Sequence, residues 1–203
     1  MLGDKRCQVE AWSDRSREST QGWFVPACNF GANIEWQVGF GRAREEGASR
    51  FSESYAQGKT VFKAIEDDSP WGVGLVLGVI RRPRQAARRG WDNPYAIVPV
   101  SAARGEALVH VNVGWSRDAE ASRDVTLWGL AFEAPPVGAV TPLAEAFGEN
   151  RERPFLRAGV RISLLKEEMG VDLDLTVVAR PGGTRDERFI SLGVFWQSGR
   201  WLP

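Results

Sequence analysis

The only histidine, His110, stands in the run HVNVGWS with Asn112 and Ser116 at even spacing, so a β-strand there would turn all three to one face. Imidazole, hydroxyl and amide together are the material of nucleophilic acyl transfer, in which histidine takes the hydroxyl proton and the third group orients the ring. That chemistry needs base and nucleophile within hydrogen-bond reach, which the spacing does not supply. A histidine satisfied by polar neighbours is the simpler reading, and no catalytic residue is assigned.

A second set is ionic. Glu35, Lys59, Lys63, Glu133, Glu145, Arg157, Arg161, Asp172 and Asp174 fall on the polar phase of alternating runs, and their signs are mixed. Antiparallel pairing through ENRER sets Glu145 opposite Arg157, and pairing through LKEEMG sets Arg161 opposite Asp174. Such pairs either neutralise one another and plug a narrow space, or form a charged constriction that selects small polar or anionic solutes.

The run IRRPRQAARRGW places Arg81, Arg82, Arg84, Arg88 and Arg89 close together. Guanidinium groups match phosphate bidentately, so the cluster reads as a contact to lipopolysaccharide phosphates or as a solvated loop with Arg81 or Arg82 at its base. Nucleic acid is a poor partner, because no stacking aromatics interleave the arginines and the 26 basic residues of the chain balance its 26 acidic ones.

Cys7 and Cys28 flank a hairpin whose turn is SDRSREST. A register that opposes Trp12 to Trp23 also opposes the two cysteines, which allows a cross-strand disulfide or, in a reducing compartment, two free thiols. Two cysteines and one histidine are too few for a metal site, and GVGLVLG follows strand alternation rather than a nucleotide-binding turn. No cofactor is expected.

These residues need elements to hold them. Alternation and turn chemistry predict about twelve strands, near 7–13, 22–28, 33–42, 53–65, 71–81, 94–102, 107–116, 124–134, 140–148, 154–164, 171–180 and 187–196, with one helical turn at most, in LLKEEMG. One set of connections is short (NFGAN, EDDSP, AARGE, APPVG, LKEEMG), and the alternate set is longer or more charged. An up-and-down meander sends the two sets to opposite ends, tight turns at one and polar loops at the other.

Strand faces decide which side looks inward. One face carries Ile34, Trp36, Val38 and Phe40, then Val109, Val111, Val113 and Trp115, then Leu156, Val160 and Ile162, while glycine, serine and charge lie opposite. A soluble barrel would put bulky apolar groups inside and lysine, glutamate and threonine outside. A smooth apolar face against small and charged residues fits lipid outside and a narrow polar lumen within. The expected fold is an all-β, closed antiparallel up-and-down transmembrane barrel of about twelve strands, one domain over residues 1–203.

Composition is compatible with this. The longest apolar run, VGLVLGVI, is far short of a membrane helix. Nine tryptophans, and 22 arginines against 4 lysines, suit a membrane interface. MLGDKRCQVE has no apolar h-region, which by itself leaves open a cytosolic protein or a mature exported chain.

The last predicted strand, ERFISLGVFW, alternates and ends in an aromatic residue, and so resembles the assembly signal of bacterial outer-membrane barrels. With WGVGLVLGV, YAIVPVS, WGLAFEA, AEAFGE and the closing WLP, the chain is similar to uncharacterised proteobacterial outer-membrane barrel proteins, loosely akin to the MetA-pathway-of-phenol-degradation barrels. The tail QSGRWLP leaves either Trp196 or Trp201 as the terminal aromatic residue. The resemblance implies a bacterial outer-membrane location, lipid and lipopolysaccharide as partners, and a conduit for small or hydrophobic solutes. The alternatives are a closed barrel that anchors a partner or lipopolysaccharide, and a barrel lipid hydrolase.

Overall fold

The computed structural model describes residues 2–31, 33–45, 51–66, 68–82, 90–166, 169–184 and 187–200. Twelve strands follow in chain order: β1 (Arg6–Arg15), β2 (Ser19–Asn29), β3 (Ile34–Glu45), β4 (Phe51–Lys63), β5 (Trp71–Arg81), β6 (Asn93–Arg104), β7 (Ala107–Asp118), β8 (Arg123–Glu133), β9 (Val140–Glu149), β10 (Phe155–Lys166), β11 (Gly170–Ala179) and β12 (Arg188–Gln197). Each pairs antiparallel with its neighbours in sequence, and β1 pairs with β12 to close the barrel. Closure gives both edges of every strand a partner, as a sheet surrounded by hydrocarbon requires.

Alternation sets the two faces. Glu35 is 4% exposed while Trp36 beside it is 57% exposed, and Val113 on the far side of the barrel is 54% exposed. The exterior thus carries a continuous apolar surface, and the small and charged residues fall on the lumenal face. Pairs such as Val113 with Val98 and Trp128, or Leu175 with Val160 and Leu192, continue the apolar surface from strand to strand.

The tight-turn end includes a two-residue connection, Gly105–Glu106, between the paired residues Arg104 and Ala107. Gly105 has φ 60° there, a left-handed value that glycine takes without a Cβ penalty. At the other end the strands run beyond the apolar band, so SDRSREST shrinks to a turn at 16–18 with Arg15 still paired to Thr20. The contrast between the ends is therefore smaller than expected, and 82–92 and 180–187 are the long connections. The stretch considered for a helical turn is strand as far as Lys166. Trp196 is the last outward aromatic residue of β12, and Trp201 lies outside the described residues.

Cys7 and Cys28 are opposed and disulfide-bonded, with Cα atoms 4.1 Å apart. The bond tethers the end of the β1–β2 hairpin away from its turn, where the chain would otherwise fray.

Candidate functional site: a two-walled lumen

The lumen has one ionic wall, on β7 to β11. Arg161 donates from Nε and Nη2 to the two oxygens of Asp174 at 2.9 and 3.0 Å, and its Nη1 lies 3.6 Å from Glu133. Arg157 donates to Glu145 at 3.0 Å. Both pairs follow from direct cross-strand register, Arg161 with Asp174 and Arg157 with Glu145. The planar guanidinium fork turns the first into a bidentate clamp. Arg161 is spent on its carboxylates, whereas the Nε of Arg157 has no hydrogen-bond partner among the described residues.

A cavity of about 620 Å³ opens beside this wall, lined in part by Glu10, Glu35, Lys59, Arg157, Arg161, Asp172 and Asp174. Four carboxylates there face three cations, and Glu133 and Glu145 bring two more carboxylates to the same arginines. The formal balance of these nine groups is −3. Near the tight-turn end, Leu2 is buried, donates its backbone N–H to Glu35 at 2.7 Å, and accepts from the Asn29 amide at 2.9 Å. The segment that carries Leu2 and Gly3 thereby narrows the cavity.

Lys63 is a correction. The register of β4 against β5 slips after Val61, so that Val61 faces Gly74 but Lys63 faces Val73, with Phe62 as the extra residue. This bulge moves Lys63 off the inward phase, and its ammonium stands 3.6 Å over the ring of Trp71, itself an exposed residue. Glu10 was missed as a lining residue although it lies on the same phase of β1 as Gln8, which also lines the cavity.

The second wall is aromatic and was not anticipated. Trp12 and Trp23 stack with ring centres 5.8 Å apart, and Tyr55 tilts against Trp23 at 5.9 Å. The hydroxyl of Tyr95 donates to Gln57 at 2.6 Å, and the Gln57 amide donates in turn to Gln37. Glycines make this arrangement possible. A Cβ on Gly41 would sit 2.7 Å from the Trp23 ring, and Gly39 and Gly78 lie as tightly under Tyr55 and Tyr95. The small residues of the inner face thus leave space for flat rings as well as for charged chains.

His110 is not near Ser116, which pairs with Tyr95 instead. Its Nδ1 shares a 2.7 Å hydrogen bond with the hydroxyl of Ser101, and Nε2 lies 3.9 Å from Glu133. The spacing searched along one strand, whereas the contact crosses to the neighbouring one. Ser101 is paired to Gly72 on β5 and to His110 on β7. The constellation ties the ionic wall to β6.

At the long-loop end, Arg180 lies 4.1 Å over the Phe155 ring and is bonded to Glu187 and Glu152, each at 2.8 Å. Arg153 donates to the carbonyls of Pro181 and Gly182, which joins the connection after β9 to the one after β11. The Thr184 N–H and then Arg180 stabilise the Glu187 carboxylate and hold its pKa below the ordinary carboxylate value. Of the clustered arginines, Arg82 is committed to Glu53 at 2.7 Å, Arg81 closes β5, and Arg84, Arg88 and Arg89 lie outside the described residues.

This fold and lumen can be set beside known proteins. A family model covers residues 3–196, described as uncharacterised conserved protein UCP029691. The chain belongs to that family. No curated protein matches the sequence. Among solved structures, the chain is similar to the KdgM porin (TM-score 0.64, 8% identity, 95% of this chain and 98% of that one). It is also similar to the COG4313 outer membrane channel from Pseudomonas putida F1 (TM-score 0.60, 7% identity, 98% and 96%). The NanC porin gives a TM-score of 0.59 at 9% identity, with 96% and 100% covered. At these identities the likeness is one of fold, a twelve-strand barrel of the outer-membrane kind, and its bearers are porins and channels. The likeness to MetA-pathway barrels is not among these matches.

Proposed function

We propose that this family member is a bacterial outer-membrane barrel, one domain throughout, and that it works as a narrow passive channel for small polar solutes. The observation that carries this reading is the two-walled lumen, with a 620 Å³ cavity lined by the bidentate ionic ladder and by Trp12 of the aromatic wall. Rings offer flat apolar contact to one side of a solute, while the charged groups that line the cavity, Lys59, Asp172 and Asp174 among them, offer polar contact to the other. A lining so rich in carboxylates argues against purely hydrophobic cargo, and its negative balance favours cations over the anionic solutes expected from sequence. Membrane lipid and lipopolysaccharide are the surroundings in which such a barrel operates.

A closed accessory barrel is the second reading. It is favoured by the Leu2 segment at one end and the Arg153 and Arg180 contacts at the other, which both narrow the passage. Purified protein in planar bilayers separates the two. Discrete cation-selective steps, smaller than those of a general porin, support the channel. A silent bilayer from correctly folded protein supports the accessory barrel.

A further inference from the structure

The exterior has a feature that the channel reading does not use. A groove of about 900 Å³ runs along the outer face where β1 meets β12, at the long-loop end, lined by Ser13, Arg15, Arg17, Val177, Arg188, Ile190 and Leu192 among others. Its floor is apolar, with Val177, Ile190 and Leu192 all more than half exposed. Its upper margin is cationic. Arg15 ends β1, Arg17 follows in the turn, and Arg188 opens β12, all three exposed.

None of these arginines has a carboxylate at salt-bridge distance among the described residues, and that includes Glu18 of the same turn. Arg117 at the same end is different, paired with Asp124 at 3.3 Å. Arg42 and Arg44 extend the cationic margin round β3 and are also exposed. Three unneutralised guanidinium groups above an apolar trough form a surface with positive charge alone at headgroup level and hydrocarbon contact beneath it.

We infer that this groove binds a phosphorylated, multiply acylated glycolipid of the outer leaflet, with Arg15, Arg17 and Arg188 on its phosphates and the acyl chains over Val177, Ile190 and Leu192. Charge complementarity selects the occupant. Zwitterionic phospholipid would satisfy the trough but leave three cations against a headgroup of no net charge, whereas a lipid A headgroup brings two phosphates to a margin built for forked donors. The level is also correct, since the long-loop end of an up-and-down outer-membrane barrel faces the cell exterior. This site is separate from the Arg81–Arg89 run, and it rests on the reading that the apolar exterior faces lipid.

The test is native mass spectrometry of the detergent-solubilised barrel titrated with lipid A bearing both phosphates, and with the same lipid dephosphorylated. Wild-type protein should bind the phosphorylated lipid about tenfold more tightly, and the R15Q/R17Q/R188Q variant should lose that preference. Equal binding of the two lipids by wild type overturns the inference, even if the variant fails to fold. A phosphate preference that survives all three substitutions overturns it as well, by placing the phosphates elsewhere. Quenching of tryptophan fluorescence by brominated acyl chains tests the underlying lipid-facing reading separately. Trp36 and Trp196 are exposed on the exterior and must be quenched if that reading holds, whatever lipid A does.

Discussion

Replacing Arg161 with methionine keeps the apolar stem and removes the charge that joins three strands. Asp174 then loses both of its guanidinium bonds, and Glu133 loses a cation at 3.6 Å. Breaking a fully buried pair costs about 3–5 kcal/mol, and breaking an exposed one about 0–1 kcal/mol. The Arg161 and Asp174 side chains are 35% and 32% exposed, which places the pair between these limits. We expect a loss of about 2 kcal/mol, read as a shift of the urea midpoint in detergent with the slope unchanged. Adding Asp174→Asn should recover about half of it, because the orphaned charge is removed with its partner. The same Arg161→Met change takes the formal balance of the nine lumenal groups from −3 to −4 and should move the reversal potential in a salt gradient toward cations. A variant with wild-type stability and wild-type reversal potential would show that the bidentate clamp neither holds the wall nor sets the field in the lumen.

Val113→Arg puts a cation on the outer face, where Val113 is 54% exposed, and should cost about 2–4 kcal/mol of folding stability in lipid if the residue sits near the bilayer midplane. Gly41→Leu drives a side chain into the Trp23 ring, so the exciton band of the stacked Trp12–Trp23 pair should weaken in circular dichroism, with a loss of about 1–3 kcal/mol from overpacking. Glu187 should titrate below 4.5, its ordinary value, in a carbon-detected NMR titration. Because the folded-state pKa is lowered, the contribution of Glu187 to the loop is complete above the unfolded value and is lost as pH falls through the folded one. A midpoint at or above 4.5 would mean that the Thr184 and Arg180 contacts do not form.

Strand positions and faces were legible because period two persists through nearly every strand, and a one-residue error would have reversed whole faces. The pairs Glu145–Arg157 and Arg161–Asp174 were legible for the same reason, since short turns fix the register on either side of β10. Lys63 was not, because a bulge inserts one residue without a mark in TVFK, and every position after it changes face. The aromatic wall was hidden by the very rule that found the barrel. Trp12, Trp23, Tyr55 and Tyr95 are large residues on the inner phase, and the glycines that receive them come from neighbouring strands, at positions no single strand reveals. His110 was matched with Ser116 along its own strand, although its partner, Ser101, stands across the hairpin.

Single-channel recording of the purified barrel, with a tenfold salt gradient across the bilayer, bears most directly on the two-walled lumen as a conduit. Twelve strands enclose less space than the sixteen to eighteen of an open porin, and here charged and aromatic side chains occupy much of it. Conductance should therefore be small, with a reversal potential of the sign that marks cation preference. Large, unselective steps, or a preference for anions, would contradict both the constriction and the negative balance of its lining.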